Sequence, residues 1–281
     1  MAGSVWINKF SSLSTRGYLH TLRKIQIIVG VRLYPFFEIS MAIQDDIFRQ
    51  PKQAEDFKFG NTVVQVFDDM VTRSVPFYLE IQRMMTEIAA DFAVPGTRVY
   101  DLGCSTGTTL INIDKVLPPD IEFIGIDNSA EMLEKCRGNF ESNGISRKYQ
   151  LLSMDLNNGV TIENASVVIM CLTLQFIRPL YREKLVEQIY SQLNENGCLI
   201  LIEKVLGEDS LFNRQFIKYY YDFKRRNQYN DMEIAQKREA LENVLIPYKL
   251  MENRELLFNK GFRYVETFFK WYNFCGMIAV K

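Results

Sequence analysis

The sequence predicts an α/β fold built on a doubly wound, mostly parallel sheet. Short apolar runs typical of buried strands alternate with segments whose apolar residues recur at helical spacing. The first run, 98–102, leads straight into the turn Gly103-Cys-Ser-Thr-Gly107, and a helical pattern follows from about Thr108. Glycines at such a turn let the backbone approach a ligand closely. Alternation of this kind gives parallel strands joined by right-handed crossovers.

Residues 41–62 are predicted to form an irregular arm, and most of the predicted sheet follows it, up to residue 203. Helices are predicted at 61–72, 78–92, from about 108, 129–143 and 181–193. Strands are predicted at 98–102, 121–126, 148–154, 167–172 and 198–203. The turn residues Asn194-Glu-Asn-Gly197 should separate the last helix from the last of these strands.

The C-terminal part departs from this alternation. Residues 208–260 are mainly of helical pattern and rich in Tyr, Arg and Lys, which predicts a helical insertion. Two β-type runs, 264–271 and 274–280, predict an antiparallel C-terminal hairpin. Residues 41–281 should therefore form a single α/β domain that carries the insertion.

Composition and charge bound the function. The chain has 281 residues, 47% of them hydrophobic, and a formal net charge of −1. Residues 1–40 carry a charge of +4, which leaves −5 for the remainder. A slightly acidic body disfavours a broad nucleic-acid surface, which needs clustered Lys and Arg. We therefore expect no direct nucleic-acid binding.

The basic segment 1–40 is predicted to be a dispensable extension. Its longest apolar run, 25–37, is broken by glycine, arginine and proline and is too short to span a membrane, and we expect no membrane association. It lacks the small-residue cleavage site of a secretory signal. Three interpretations stay open: an upstream start before a natural Met41, a weakly ordered basic extension, and an organellar transit peptide.

Cysteine and histidine usage excludes several kinds of site. The five cysteines form no C-x-x-C pair and show no metal-ligand spacing. They are predicted to be reduced thiols, mostly in the core of a cytoplasmic protein. His20 is the only histidine, so residues 41–281 have none for a metal site, a catalytic triad or a general base.

Acidic and amide residues stand where the predicted strands end, namely Asp101, Asp127-Asn128, Asp155 and Gln175. In a doubly wound sheet these ends line one crevice. Asp127, about twenty residues after the glycine turn, can accept hydrogen bonds from ribose hydroxyls. Asp155 can accept one from an adenine amino group while the amide of Leu156 donates to a ring nitrogen. Each of these residues alone is more simply a helix-cap or turn residue. Their joint occurrence after consecutive strands is what favours a binding crevice.

The glycine turn favours a nucleoside over a pyrophosphate. Gly103-Cys-Ser-Thr-Gly107 reads G-x-x-x-G and lacks the spacing of G-x-G-x-x-G. With Asp101 it becomes D-x-G-x-x-x-G, which resembles the first motif of S-adenosyl-L-methionine (SAM)-dependent methyltransferases. A tight turn in some other doubly wound domain is the alternative.

A more specific resemblance rests on six segments. They are Arg73-Ser-Val-Pro-Phe-Tyr78, Val99-Tyr-Asp-Leu-Gly-Cys-Ser105, Ile126-Asp-Asn-Ser129, Leu172-Thr-Leu-Gln-Phe176, Asp222-Phe-Lys-Arg225 and Gln236-Lys-Arg-Glu-Ala-Leu-Glu-Asn-Val244. Together they resemble the carboxy-S-adenosyl-L-methionine (carboxy-SAM) synthase family, collinearly from about Met41 to Lys281. The first and last segments are the family-specific ones. The resemblance implies a class I methyltransferase (Rossmann-like) fold.

The same resemblance implies a transferase that does not methylate. The family carboxylates the methyl group of SAM, using prephenate and releasing phenylpyruvate. Its product, carboxy-SAM, feeds a partner enzyme that modifies the wobble uridine of tRNA. A homodimer is also implied.

The resemblance further implies which residues hold SAM and carboxy-SAM. They are Tyr78, Gly103, Cys104, Ser105, Asp127, Asn128, Asp155, Leu156, Cys171 and Arg238. Arg238 should offer a carboxylate a bidentate guanidinium fork, in cis or across a dimer, and Tyr78 should donate a hydrogen bond to the same ligand. Cys171 departs from the family's common asparagine and cannot supply an amide's donors and acceptor.

Neither a catalytic base nor a prephenate site follows from the sequence. Lys204, Arg225 and Arg226 are candidates for that site because prephenate is a dianion, and the hydroxide that leaves prephenate could serve as the base.

Two other functions compete: an ordinary SAM-dependent methyltransferase acting on a small molecule or tRNA, and a non-catalytic nucleotide-binding module. Neither needs a carboxylate clamp, so Arg238 and Tyr78 discriminate among the three.

Overall fold

The computed structural model describes residues 43–51 and 55–281. The segment 1–40 lies outside the described residues, so its dispensability stays a prediction. Within the described ranges, no helix combines the length and the apolar character that crossing a membrane requires.

One sheet is built from the strands β1 (Arg98–Leu102), β2 (Glu122–Asp127), β3 (Tyr149–Ser153), β4 (Ala165–Cys171), β5 (Leu193–Lys204), β6 (Tyr264–Trp271) and β7 (Phe274–Val280). The strand order is β3-β2-β1-β4-β5-β7-β6. Strands β1 to β5 pair in parallel, and β7 pairs antiparallel with both β5 and β6. The predicted mostly parallel sheet with an antiparallel C-terminal hairpin is confirmed.

Helices precede, connect and follow these strands. They are α1 (Asn61–Ser74), α2 (Tyr78–Phe92), α3 (Thr108–Asp114), α4 (Ala130–Ser142), α5 (Pro179–Gln192), α6 (Ser210–Arg226), α7 (Asp231–Leu241) and α8 (Leu250–Asn259). Helices α6, α7 and α8 form the predicted insertion between β5 and the C-terminal hairpin. Single 3-10 turns follow β3 and β4, at Leu156–Asn158 and Leu174–Phe176.

Both faces of the sheet are buried because helices cover both sides, and successive strand side chains point alternately to one side and the other. Val99 and Phe123 pack against α2, α3 and α4 on one face. Tyr100, Ile124 and Val168 pack against α5 and α8 on the other. Complete burial of an apolar side chain of this size is worth about 1.5–3 kcal/mol. Burial on both sides also explains why the central strands read as continuous apolar runs rather than as alternating ones.

Strand β5 begins earlier than predicted. The sequence places its start at Cys198, whereas in the structure Leu193 already pairs with Ala165 of β4. The register then shifts, and Asn196 adopts a positive φ of 61° within the irregular stretch. The turn-type residues 194–197 therefore form a bulge inside the strand and not a loop before it.

The arm that precedes α1 is fixed to α7. The side-chain amide of Gln236 donates to the carbonyl oxygens of Phe48 at 2.9 Å and Gln50 at 3.1 Å. The amide of Phe57 donates to the carbonyl oxygen of Ala240 at 2.9 Å. These bonds hold the helix that carries Arg238 in a defined position against the arm.

Candidate active site

The carboxyl ends of the parallel strands open into a cavity of about 430 Å³. Residues that directly follow β1, β2, β3 and β4 line it, together with Lys204 at the end of β5 and side chains of α1, α6 and α7. Doubly wound sheets bind their ligands at this edge. The volume suits a small-molecule ligand.

All ten residues predicted to hold the ligand line this cavity. They are Tyr78, Gly103, Cys104, Ser105, Asp127, Asn128, Asp155, Leu156, Cys171 and Arg238. Gln175 lines it as well. The structure thus gathers into one space residues that lie up to 160 positions apart in the chain.

Asp101 corrects one expectation. The sequence places it in the crevice, whereas in the structure its side chain is buried within β1, is only 1% exposed and does not line the cavity. Among the described residues no hydrogen-bond partner meets its Oδ1 atom. Burial, and then the charge of Asp127, raise the pKa of Asp101 to about 7. This carboxyl therefore lies beneath the cavity lining and retains its proton more readily than an exposed aspartate.

The glycine turn joins β1 to α3, is hydrogen-bonded to the end of β2 and forms one wall of the cavity. The amides of Gly103 and Cys104 both donate to the carbonyl oxygen of Ile126, at 2.7 and 3.0 Å. Gly103 has a φ of 84°, which side chains disfavour. A Cβ atom at this position would lie 2.3 Å from Oγ1 of Thr173. The close approach of the loop after β4 to the turn therefore requires glycine here.

Gly103→Ala should destabilise the protein by about 2 kcal/mol or more, because alanine would combine a left-handed backbone with a steric overlap. Urea unfolding gives the free energy directly. Gly138→Ala is the matched control, since Gly138 lies within α4 and a Cβ atom there would have no neighbouring atom within 4 Å. Alanine at that position should stabilise by about 0.5–1 kcal/mol. Equal stability of Gly103→Ala and the wild type would show that the turn relaxes freely.

Asp127 is held rigidly at the end of β2. Its Oδ2 accepts a hydrogen bond from the amide of Ser105 at 3.0 Å, and its Oδ1 accepts one from the amide of Ser129 at 2.9 Å. Burial raises the pKa of Asp127, while these backbone hydrogen bonds oppose the shift. Each carboxylate oxygen can accept a further hydrogen bond. The group is thus oriented by the backbone and can accept hydrogen bonds from a ligand in the cavity.

Asp155 and Leu156 come to the same cavity after β3. Asp155 caps the 3-10 turn, its Oδ1 accepting from the backbone and side-chain amides of Asn157 at 2.9 and 2.8 Å. The side chain of Leu156 is buried beside it. Asp155 is therefore a turn residue and a cavity residue together, so the two interpretations of the sequence are compatible.

Tyr78 and Cys171 both line the cavity and stay uncharged. Burial is the largest cause that raises the pKa of Tyr78 well above its ordinary value, and negative charge at Cys171, Asp68 and Asp101 would raise it further. The phenol keeps its proton and can donate a hydrogen bond. Burial also raises the pKa of Cys171, so this thiol is unsuited to act as a nucleophile.

Arg238 lies on α7 at the rim of the cavity, where its side chain is exposed. A hydrogen bond with the side chain of Tyr221, on α6, is the largest cause of a raised pKa for Arg238. Tyr221 lines the cavity too. The guanidinium is therefore a permanent cation facing the cavity of its own chain.

Of the three candidates for a dianion site, only Lys204 lines the cavity. Arg225 instead forms ion pairs with Asp222 and Asp231, both at 2.7 Å, and Arg226 is exposed away from the lining. The structure brings in two lysines that the sequence analysis did not single out, Lys224 and Lys237. Both belong to segments that carry the family resemblance, which was the available signal.

Solved structures of low sequence identity share this fold. A putative SAM-dependent methyltransferase from Methanococcus maripaludis aligns with a TM-score of 0.53 at 18% identity, over 82% of this chain and 97% of its own. A SAM-dependent methyltransferase from Aquifex aeolicus aligns with a TM-score of 0.53 at 16% identity, over 79% of this chain and 99% of its own. A family profile described as a methyltransferase domain matches residues 99–197. The fold is that of the class I SAM-dependent methyltransferases.

Curated relatives define the family within this class. The carboxy-SAM synthase of Methylococcus capsulatus is 60% identical over 240 residues, which cover 85% of this chain and 99% of the relative. That of Desulfotalea psychrophila is 45% identical over 239 residues, with 85% and 97% covered. The chain belongs to the carboxy-SAM synthase family. The predicted family and transferase class are confirmed.

Proposed function

We propose that this protein carboxylates the methyl group of SAM with prephenate as donor, giving carboxy-SAM and phenylpyruvate. The observation that carries the proposal is the guanidinium of Arg238 at the rim of a cavity that also holds Asp127 and Asp155, whose carboxylates suit a nucleoside. SAM has no carboxylate on its transferable carbon, whereas carboxy-SAM has one that matches a bidentate fork. Membership of the carboxy-SAM synthase family supports the same reaction.

Each cavity residue has a role in this proposal. Asp127 accepts hydrogen bonds from the ribose hydroxyls, with its orientation fixed by the backbone amides that it already holds. Asp155 and the amide of Leu156 bind the adenine edge. Tyr78, whose phenol stays protonated, donates to the carboxylate that Arg238 binds.

The proposed chemistry needs no base from the protein. The positive sulfonium acidifies its methyl group. Prephenate loses carbon dioxide and hydroxide as its ring becomes aromatic; the hydroxide takes a methyl proton and becomes water. The electron pair left on the carbon then attacks carbon dioxide and forms the new carbon–carbon bond. This scheme suits a chain whose only histidine is His20.

The wider setting is proposed by likeness to the family. Carboxy-SAM would pass to a partner enzyme that modifies the wobble uridine of tRNA, so this protein would not bind nucleic acid itself. A homodimer and a cytoplasmic location belong to the same proposal.

Incubation of the purified protein with SAM and prephenate should yield phenylpyruvate and a SAM derivative heavier by one carbon dioxide unit. Mass spectrometry of the small molecules distinguishes this product from S-adenosylhomocysteine, which an ordinary methyltransferase would release. A reaction without prephenate is the control and should form neither product. Formation of S-adenosylhomocysteine alone, with an added acceptor, would favour the methyltransferase instead.

A further inference from the structure

Three lysines from different elements converge on the cavity. Lys204 ends β5, Lys224 lies near the end of α6 and Lys237 lies on α7, and all three line the cavity. Lys224 is 5% exposed and Lys237 6% exposed. An ammonium group is rarely buried to this degree unless an anion accompanies it.

Within the described part of the chain, only one of the three has such a partner. The Nζ atom of Lys237 lies 3.6 Å from Oδ2 of Asp45 and donates to Oγ of Ser74 at 3.0 Å. Among the described residues, no ion pair joins Lys204 or Lys224 to a carboxylate.

An aromatic ring is the shared contact of these two lysines. The ring centre of Tyr220 lies 5.1 Å from Nζ of Lys204 and 4.8 Å from Nζ of Lys224. Burial lowers the pKa of Lys204 to about 8. Burial first, and then the charges of Lys237 and Lys204, lower the pKa of Lys224, which Asp45 opposes. Burial therefore disfavours the charged form of both lysines, and repulsion adds to this effect at Lys224. An anion bound in the cavity would stabilise their charged form.

We propose that Lys204 and Lys224 bind the carboxylates of the carboxyl donor, a small dianion with an apolar ring. The inference rests on the proposed function and assigns the donor's site within the same cavity. Tyr220 and Phe274, which also line this side, offer the ring an apolar surface. Lys237, already paired with Asp45, supports the local positive charge without being the principal ligand.

Lys224→Met and Lys204→Met test the assignment against Lys218→Met. Lys218 lies on the same helix as Lys224 but is exposed and does not line the cavity. At saturating SAM, both cavity variants should raise the KM for prephenate at least about tenfold, as expected when a hydrogen bond to a charged group is lost. Their Kd for SAM, measured by calorimetry, should stay within about twofold. Lys218→Met should change neither constant.

A second measurement separates binding from folding. Methionine replaces a buried, unpaired cation with an apolar chain of similar shape, so Lys224→Met should melt at or above the wild-type temperature. A lower melting temperature together with weaker SAM binding would show that Lys224 supports the fold, and would overturn the inference. Equal losses of prephenate and SAM affinity in both variants would assign the lysines to SAM's own carboxylate and overturn it too.

These experiments distinguish a failure of the lysine site from a failure of the proposed carboxylation reaction. Carboxy-SAM formation with an unchanged KM for prephenate in both variants would overturn the lysine site and leave the function standing. If the wild type makes no carboxy-SAM, the function fails and calorimetric binding of prephenate decides the site. Binding that the two cavity variants lose would support the dianion site, and binding that they retain, or none to the wild type, would overturn it.

Discussion

Arg238→Ala should weaken carboxy-SAM binding by about 2–5 kcal/mol, the usual cost of truncating one partner of a charge pair that the complex buries. That is about thirtyfold to several thousandfold in Kd. SAM binding should stay nearly intact because SAM carries no carboxylate on its transferable carbon. The rate at which the variant forms carboxy-SAM from SAM and prephenate should fall together with its affinity for carboxy-SAM. Arg238→Lys should restore only part of the affinity, since a point charge cannot reproduce the two-pronged guanidinium contact.

Calorimetry with both ligands measures this difference. Arg214→Ala is a suitable control because Arg214 is exposed on α6 and lies outside the cavity lining; both affinities should be unchanged. Tyr221→Phe removes the hydroxyl that contacts Arg238 and should give a smaller loss in the same direction. Equal losses of SAM and carboxy-SAM would assign Arg238 to the fold or to a dimer contact. No loss of either would show that Arg238 is a solvated residue of α7 without a ligand role, and would favour the methyltransferase alternative.

The sheet could be predicted from the sequence because its signals are local. Strand β1, the hairpin strands β6 and β7, and helix α2 have the predicted bounds, since each is a continuous apolar run or a clear helical pattern closed by turn residues. The position of the cavity could be predicted as well, because the residues that follow successive parallel strands lie together at one edge of the sheet. Asp127, Asp155 and Cys171 line one cavity for that reason.

The remaining features depend on contacts between distant segments. Strand β5 starts at Leu193 because Ala165 of β4 is there to pair with it, although turn-type residues follow. Lys224 reads as an ordinary helix lysine, and its burial arises only when α6 packs over the strand ends. A residue's local pattern cannot report which partner will cover it. The sequence therefore pointed to Lys204 and Arg238 as cations of the cavity but not to the burial of Lys224 and Lys237.

Asp127→Ala should weaken SAM and carboxy-SAM alike by about 1.5–3 kcal/mol, typical of lost hydrogen bonds to a charged group, or about tenfold to 150-fold. The ribose is common to both ligands, so the two losses should match. The carboxylate also accepts the amides of Ser105 and Ser129, so the substitution should lower stability as well. Calorimetry below the melting transition measures affinity on the folded protein.

Ser129→Ala separates the ligand contact from the structural one. The Oγ of Ser129 accepts the amide of Met132 and so caps α4 beside Asp127. Its loss should cost about 0.5–2 kcal/mol of stability, as for other N-caps, while both affinities stay near wild type because the carboxylate remains. If Ser129→Ala weakened the ligands as much as Asp127→Ala, the shared effect would be a disturbed turn. If Asp127→Ala left either affinity unchanged, its carboxylate would serve the turn between β2 and α4 and not the ribose.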